Sequence, residues 1–511
     1  MATNELSRAT SMPAKADHRW LVLVVVSIAQ LMVVLDATIV NVALPSAQAA
    51  LGFDNSQRQW IVTAYALAFG SLLLLGGRVG DIVGRKRTFL IALVAFAAAS
   101  ALGGASPSFA ILVIARTLQG AAGAMLAPAA LGTLVTTFHN PRDRGKAFGV
   151  FGTVAVGGGA VGLILGGILT QYLSWRWCMY VNVLFAAAAV VGALVYMTEA
   201  KSPTPPRVDL RGTVLAALGL FGVVFGFSQA GTYGWGSSVT TVSVALGLAL
   251  LVAFVLVERR VAEPLLPLRV VADRSRGMAF AAVGIAGLAM FGLFLFLTYY
   301  LQLVKHFSPV TSGLAFLPMI ACIMISSNTS NIVTLPRFGP RIVITTGMVT
   351  GFVGLGYLSR INIHSSYTGG VLPALILMGL AMGMVMAPSM NTATAGVQPR
   401  DSGVAAALVS TMQQVGGSIG TAVMSTIAAS VTTSYAAGHA PFLGFDAVAA
   451  TLGYARVFLG SALVFAAGSI LAALLFPSKE RLAAMRESVS LATARMTAEH
   501  NSVSQIEAID V

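Results

Sequence analysis

Apolar runs of about twenty residues recur from Trp20 to Phe476, broken by short polar stretches and by turns containing Gly and Pro. As α-helices, runs of this length cross a hydrocarbon core of about 30 Å. The pattern predicts an all-α membrane protein with fourteen spans, near residues 20–44, 56–76, 88–106, 109–137, 145–171, 177–198, 210–230, 239–258, 277–302, 312–335, 341–360, 370–396, 403–431 and 455–476. Residues 1–19 and 477–511 are polar tails. The first run is too long for a signal-peptide core and lacks a convincing cleavage site, so it reads as an uncleaved span. An even number of spans puts both tails on one side of the membrane.

The basic residues say which side. With the N-terminus inside, 25 of the 31 Lys and Arg fall in inner tails and loops, five fall in outer loops, and Arg116 lies within the fourth span. The positive-inside rule predicts a cytoplasmic-membrane protein with both termini cytosolic. Charged residues make up only 10% of the chain, against about 25% in soluble domains. The net charge of +13 follows from this loop bias, at span ends where anionic membrane lipid attracts bases. Nucleic-acid binding is therefore not expected.

Other chemistries find little support. The two cysteines, Cys178 and Cys322, give no metal spacing. No phosphate-cradling G-x-x-x-x-G-K-[ST] loop is present, so any pumping must draw on an ion gradient and needs no cofactor. The six His sit in tails, loops or span edges without H-x-x-x-H spacing. No metal site and no catalytic constellation of a membrane enzyme is expected.

One carboxylate stands inside the apolar runs. Asp36 lies in Leu35-Asp36-Ala37-Thr38-Ile39-Val40-Asn41-Val42-Ala43-Leu44-Pro45, while the other 17 of the 18 acids fall in tails, loops or span ends. A charge at the bilayer centre costs roughly 2.5–3.5 kcal/mol on insertion scales, so an intramembrane acid is a functional candidate by default. Burial disfavours a carboxylate's charged form and a nearby cation restores it. A carboxyl group exposed alternately to each side can thus take up a proton outside and release it inside. The competing reading is an acid that only packs helices. Arg116, well inside a span with Gln119 one turn along, can pair with Asp36 in one conformation or serve as a static lock on backbone carbonyls.

The chain also repeats itself. Gly77-Arg78-Val79-Gly80-Asp81-Ile82-Val83-Gly84-Arg85-Lys86-Arg87 follows the second span, and a weaker echo, Leu335-Pro336-Arg337-Phe338-Gly339-Pro340-Arg341, follows the tenth. The fifth span carries Gly158, Gly162 and Gly166, with Gly167 beside them; its counterpart, the thirteenth, carries Gly416 and Gly420. Small residues at this spacing let another helix approach closely. Repeated halves of this kind place a substrate site between them. The expected organisation is a six-helix bundle over residues 20–198, a two-helix insert with linkers over 199–276 and a second six-helix bundle over 277–476.

These residues resemble the major facilitator superfamily, and within it the fourteen-span drug:proton antiporters of the QacA/EmrB type. The resemblance rests on the motif around Asp36, the turn Gly77 to Lys86, Arg116-Thr117-Leu118-Gln119-Gly120, Ser174-Trp175-Arg176-Trp177 and Tyr300-Leu301-Gln302. It implies a major facilitator fold, acting as a monomer, that exports small hydrophobic compounds such as antibiotics in exchange for protons. It also implies proton coupling by Asp36 and Arg116, a conformational latch at Gly77, Asp81, Gly84, Arg85 and Lys86, and a close-packed, moving interface at Gly158, Gly162, Gly166 and Gly167. The family's prolines after Gly162 and Val183 are replaced by Leu163 and Leu184, which removes a source of helix distortion. Asn41, Gln119, Phe294, Tyr299, Asn328, Met382, Met386 and Gln413 are candidate cavity residues; for the methionines, simple packing competes with a soft drug pocket. Export of a lipid or cell-envelope precursor is the nearest alternative, and a membrane enzyme or sensor a more distant one.

Overall fold

The computed structural model describes residues 18–54, 57–138, 140–199, 209–261, 264–395, 397, 402–440 and 444–477. Lipid offers no partner to a backbone N–H or C=O, so spanning segments must bond within themselves. The chain answers with helices: α1 Arg19–Leu51, α2 Gln59–Val83, α3 Arg85–Gly104, α4 Phe109–Thr137, α5 Pro141–Tyr172, α6 Trp177–Tyr196, α7 Leu210–Tyr233 and α8 Ser238–Glu258. After the short α9 (Leu268–Ala272) come α10 Arg274–Tyr299, α11 Pro309–Ala315, α12 Leu317–Thr329, α13 Leu335–Leu358, α14 Leu372–Thr394, α15 Ser402–Gly438 and α16 Phe445–Leu475.

Among the described residues, twelve helical stretches are long and apolar enough to cross a membrane. Two of the fourteen predicted spans are not resolved as separate members of that set. The predicted tenth and eleventh spans merge into one run, Pro309–Leu358, and α2 qualifies only as the shorter Gln59–Leu73. The merged run is broken at Gly339, whose φ of 78° is not helical. Gly84, between α2 and α3, has φ 104°. Both echoing turns thus reverse direction on a glycine in a backbone region that a Cβ disfavours. Several helices also outrun their apolar cores. The first continues to Leu51 and stops where Gly52 turns left-handed and donates its N–H to the Gln48 carbonyl.

The two sets of six helices pack alike. α1 lies on α5, as α10 lies on α15; α2 lies on α4, as α12 lies on α14; and α3 lies on α6, as α13 lies on α16. The helices α7 and α8 pair with each other, and α7 also lies against α2 and α15. Apolar side chains such as Val191, Val195, Ile332 and Leu474 are exposed on the outer surface, where lipid rather than water would cover them. Leu184 belongs to this belt, so the proline missing there alters the lipid face and not the core.

The glycine ladder of α5 packs against α1 rather than at the seam between halves. A Cβ on Gly158 would meet Leu31 at 3.1 Å, one on Gly162 would meet Thr38 and the Leu35 carbonyl, and one on Gly166 would meet Ile39 at 2.8 Å. Of the four, Gly167 faces the second half, with the Pro309 carbonyl at 2.8 Å from its Cβ position. Gly416 and Gly420 repeat the arrangement, meeting the backbone of Gly284 and Leu288 on α10. Gly162→Val is therefore expected to destabilise the protein by about 1–3 kcal/mol through overpacking. A lowered thermal unfolding midpoint in detergent checks it.

Candidate functional site

Five helices of the first half bring polar groups to one buried point. Asp36, from the middle of α1, is fully buried, and Arg116 of α4 is 2% exposed. Arg116 Nη1 donates to Asp36 Oδ2 at 2.6 Å and to Gln119 Oε1 at 2.8 Å. Arg116 and Gln119 lie three residues apart on α4, one helical turn, so they share a face. Gln119 Nε2 in turn donates to Asp36 Oδ1 at 3.0 Å and to Ser100 Oγ of α3 at 2.7 Å. From α6, Asn182 Nδ2 donates to Asp36 Oδ1 at 2.7 Å. From α2, the Ile61 carbonyl accepts from Arg116 Nε at 3.1 Å, and the Tyr65 ring lies 4.4 Å beneath the guanidinium.

The hydrogen bonds from Arg116, Gln119 and Asn182 all run toward the Asp36 oxygens, the pattern of an accepting carboxylate. A buried pair offsets its desolvation only when its remaining hydrogen-bonding capacity is also met, and this one is largely met. Two acceptors nearby lack a partner: Asn182 Oδ1 and the Tyr65 hydroxyl. Protonating Asp36 would convert an acceptor into a donor, so Arg116 or an amide would have to turn away.

Past Asp36, toward Leu51, the surroundings of α1 are apolar. An apolar void of about 10 Å³ lies one turn along, lined by Val40, Leu44, Ile61, Leu112, Trp175 and Met179 among others. A cavity of that size lacking polar partners does not hold water. Beyond it, contacts tie the two halves together. Tyr299 donates its hydroxyl to Gln48 Oε1 at 2.6 Å, Gln302 donates to the Val42 carbonyl at 3.0 Å, and the Val310 N–H donates to Gln171 Oε1 at 3.3 Å. The Arg58 guanidinium sits 4.1 Å from the Tyr299 ring centre. Tyr299→Phe removes a hydrogen bond worth about 1 kcal/mol. It should shift the opening equilibrium of this face about fivefold, read as faster labelling of a cysteine placed beneath it.

The other sequence-predicted residues scatter. Gln119 spends its amide inside the Asp36 network, not on a cavity wall. Tyr299 belongs to the seal, and Phe294 packs in the core 5.0 Å from Phe316. Met382 is buried, Met386 and Gln413 are half-buried and Asn328 is exposed. Asn41 is buried and donates to the Ala37 carbonyl one turn back. At the start of α3, Arg85 Nη1 donates to the Gly132 carbonyl at 2.6 Å and Lys86 Nζ to the Met197 carbonyl at 2.6 Å. Arg85 thus braces α4, and Lys86 holds the end of α6, where bare carbonyls attract cations. Glu199 accepts the Lys86 and Arg87 N–H groups that begin α3. A Cβ on Gly77 would lie in ordinary contact with Pro128, at 3.7 Å. The Asp81 side chain lies outside the described residues.

Ser100, Asn182 and Tyr65 are the site residues that sequence reasoning missed. A lone Ser or Tyr in an Ala-rich span carries no signal of its own. Asn182 did, as an amide in an apolar run, but its partner could not be named without the rotation of α6.

Residues 26–421 match the Major Facilitator Superfamily. The chain belongs to that family. This facilitator is a transporter and not an enzyme. It is 45% identical over 480 residues to the puromycin resistance protein pur8 of Streptomyces alboniger, covering 94% of this chain and 95% of that one. It is 38% identical over 444 residues to the cephamycin export protein CmcT of Amycolatopsis lactamdurans, covering 85% and 90%. Among solved structures it resembles the POT family transporter PepTSo, with a TM-score of 0.65 at 14% identity over 89% of this chain and 98% of that one. It also resembles a bacterial homologue of the human lysosomal transporter Spinster, with a TM-score of 0.63 at 14% identity over 90% and 97%. These likenesses show the fold. They fit the helix pairing seen here, with first and second halves packed alike.

Proposed function

We propose that this facilitator is a monomeric, proton-driven exporter of small hydrophobic antibiotics in the cytoplasmic membrane, with fourteen spans and both termini cytosolic. The bundles over residues 20–198 and 277–476 would rock against each other, with 199–276 as an insert. The observation that carries the proton reading is the buried Asp36–Arg116 pair with its amide ring. A transporter gains nothing in stability from a buried ion pair that apolar residues could replace, whereas a carboxyl group that binds and releases a proton needs a partner that can let go. The relatives that resist puromycin or export cephamycin support antibiotics as the substrate class.

The present conformation is closed at the face bearing Gln48, Arg58 and Tyr299, which on this topology is the outer one. Proton entry from outside then requires parting the seal and the apolar plug at Leu44, Leu112 and Met179. One proton moving through 100 mV supplies about 2.3 kcal/mol, enough for about a fifty-fold gradient of a neutral substrate. Everted membrane vesicles with an acid interior test the reading against puromycin, a cephamycin and a fluorescent phospholipid. Accumulation of an antibiotic, collapsed by a protonophore, is the expected result. Translocation of the lipid alone, or binding without flux, would contradict it.

A further inference from the structure

A second pair of acids meets at the foot of the insert. Asp209 caps α7, its Oδ1 accepting from the Gly212 N–H at 2.8 Å. Glu258 ends α8 and is only 4% exposed. Its Oε2 accepts from the Leu266 N–H at 3.1 Å, so it grips the segment leading into α10. The remaining oxygens, Asp209 Oδ2 and Glu258 Oε1, are both buried and both without a hydrogen-bond partner. They converge on one spot: a Cβ added to Gly212 would strike the first and lie 2.6 Å from the second. Glycine is needed here because two carboxyl groups occupy the space.

Among the described residues, no base forms an ion pair with either acid. Arg78 of α2 donates to the Pro264 carbonyl at 3.2 Å, and Arg274 to the Leu474 carbonyl at 2.8 Å. Arg276 lies 4.0 Å from Asp273. Arg211, Arg259, Arg260 and Arg269 are exposed. Two carboxylates facing each other with no donor between them repel, and sharing a proton removes the repulsion. Such a pair titrates as one unit.

We propose that Asp209 and Glu258 form a single proton-binding site, with Glu258 Oε1–H donating to Asp209 Oδ2. The shared proton fastens the linker into α10: Glu258 holds Leu266, and Arg78 holds Pro264 from the last turns of α2. Leu265, Leu266 and Val270 of this linker are buried in the main core, so loosening it disturbs the entry to the second half. When the pair loses its proton, Glu258 is driven from Asp209 and the linker slackens. The site lies at the same end of the helices as Arg78 and Gly84, so it reads proton concentration at the face of those turns. It is independent of Asp36, and its failure would leave the transport reading standing.

Thermal unfolding of the purified full chain in nanodiscs tests this, from mildly acidic to mildly alkaline pH. The wild type should lose several degrees across that range. Glu258→Gln supplies a permanent donor to Asp209 and should stay flat, and Asp209→Asn should do the same from the other side, so one variant suffices if the other fails to fold. Parallel pH profiles for wild type and variants would overturn the proposal. So would restoration of the alkaline wild type by sodium, potassium, magnesium or calcium ions, which would make the pair a cation site. An infrared carbonyl band of a protonated carboxyl group, carried by isotope-labelled glutamate and lost in Glu258→Gln, is the matching spectroscopic result. Its absence from the wild type would contradict the shared proton.

Discussion

Replacing Asp36 with Asn is expected to abolish uphill export while leaving downhill exchange of substrate in place. Asparagine fills the same space, but its NH₂ group faces donors from Arg116, Gln119 and Asn182 that the carboxylate oxygens accept. The Arg116 guanidinium is then buried without its counter-charge. Breaking a buried pair in this way costs about 3–5 kcal/mol, so a lowered unfolding midpoint should accompany the loss of coupling. In everted vesicles the variant should equilibrate substrate but hold no gradient, against about fifty-fold for one proton at 100 mV. Wild-type accumulation by Asp36→Asn would remove Asp36 from the coupling step.

The second large effect is expected at Arg116. Arg116→Gln takes away the cation and also the bonds to Gln119 and the Ile61 carbonyl. By the same reasoning the single change should destabilise the fold by about 3–5 kcal/mol. Combining it with Asp36→Asn leaves two neutral amides, and most of the lost stability should return, a coupling that a double-mutant cycle measures directly. Transport should not return with it. That divergence separates a proton site from a static helix lock: a lock would recover function when stability recovers.

The parts of this site that the sequence discloses are those that cost most to bury. Asp36 and Arg116 stand out because an apolar run tolerates a charge only at a price of some kcal/mol. Ser100 and Tyr65 do not, and Asn182 shows only as an amide without a partner, because whether each faces its bundle or the lipid depends on the rotation of three separate helices. Glu258 escaped notice for another reason: at the end of α8 it reads as an ordinary boundary residue, yet the linker folds back and buries it. The helices themselves were legible from hydrophobicity, while their ends were not. The first helix runs to Leu51 and α16 begins at Phe445, past the apolar stretches, since capping and contacts rather than lipid decide where they stop. The glycine spacing of α5 announced a close helix crossing but could not name its partner, and that partner is the helix carrying Asp36. The glycine face of α5 and the helix carrying Asp36 are therefore in direct contact.

Proton counting puts the central claim to its most direct trial. Antibiotic substrate added to the purified transporter in weakly buffered detergent solution should shift the pH as Asp36 exchanges a proton with water. The shift should vanish in Asp36→Asn while binding persists. Equal proton release by the two proteins would contradict the account.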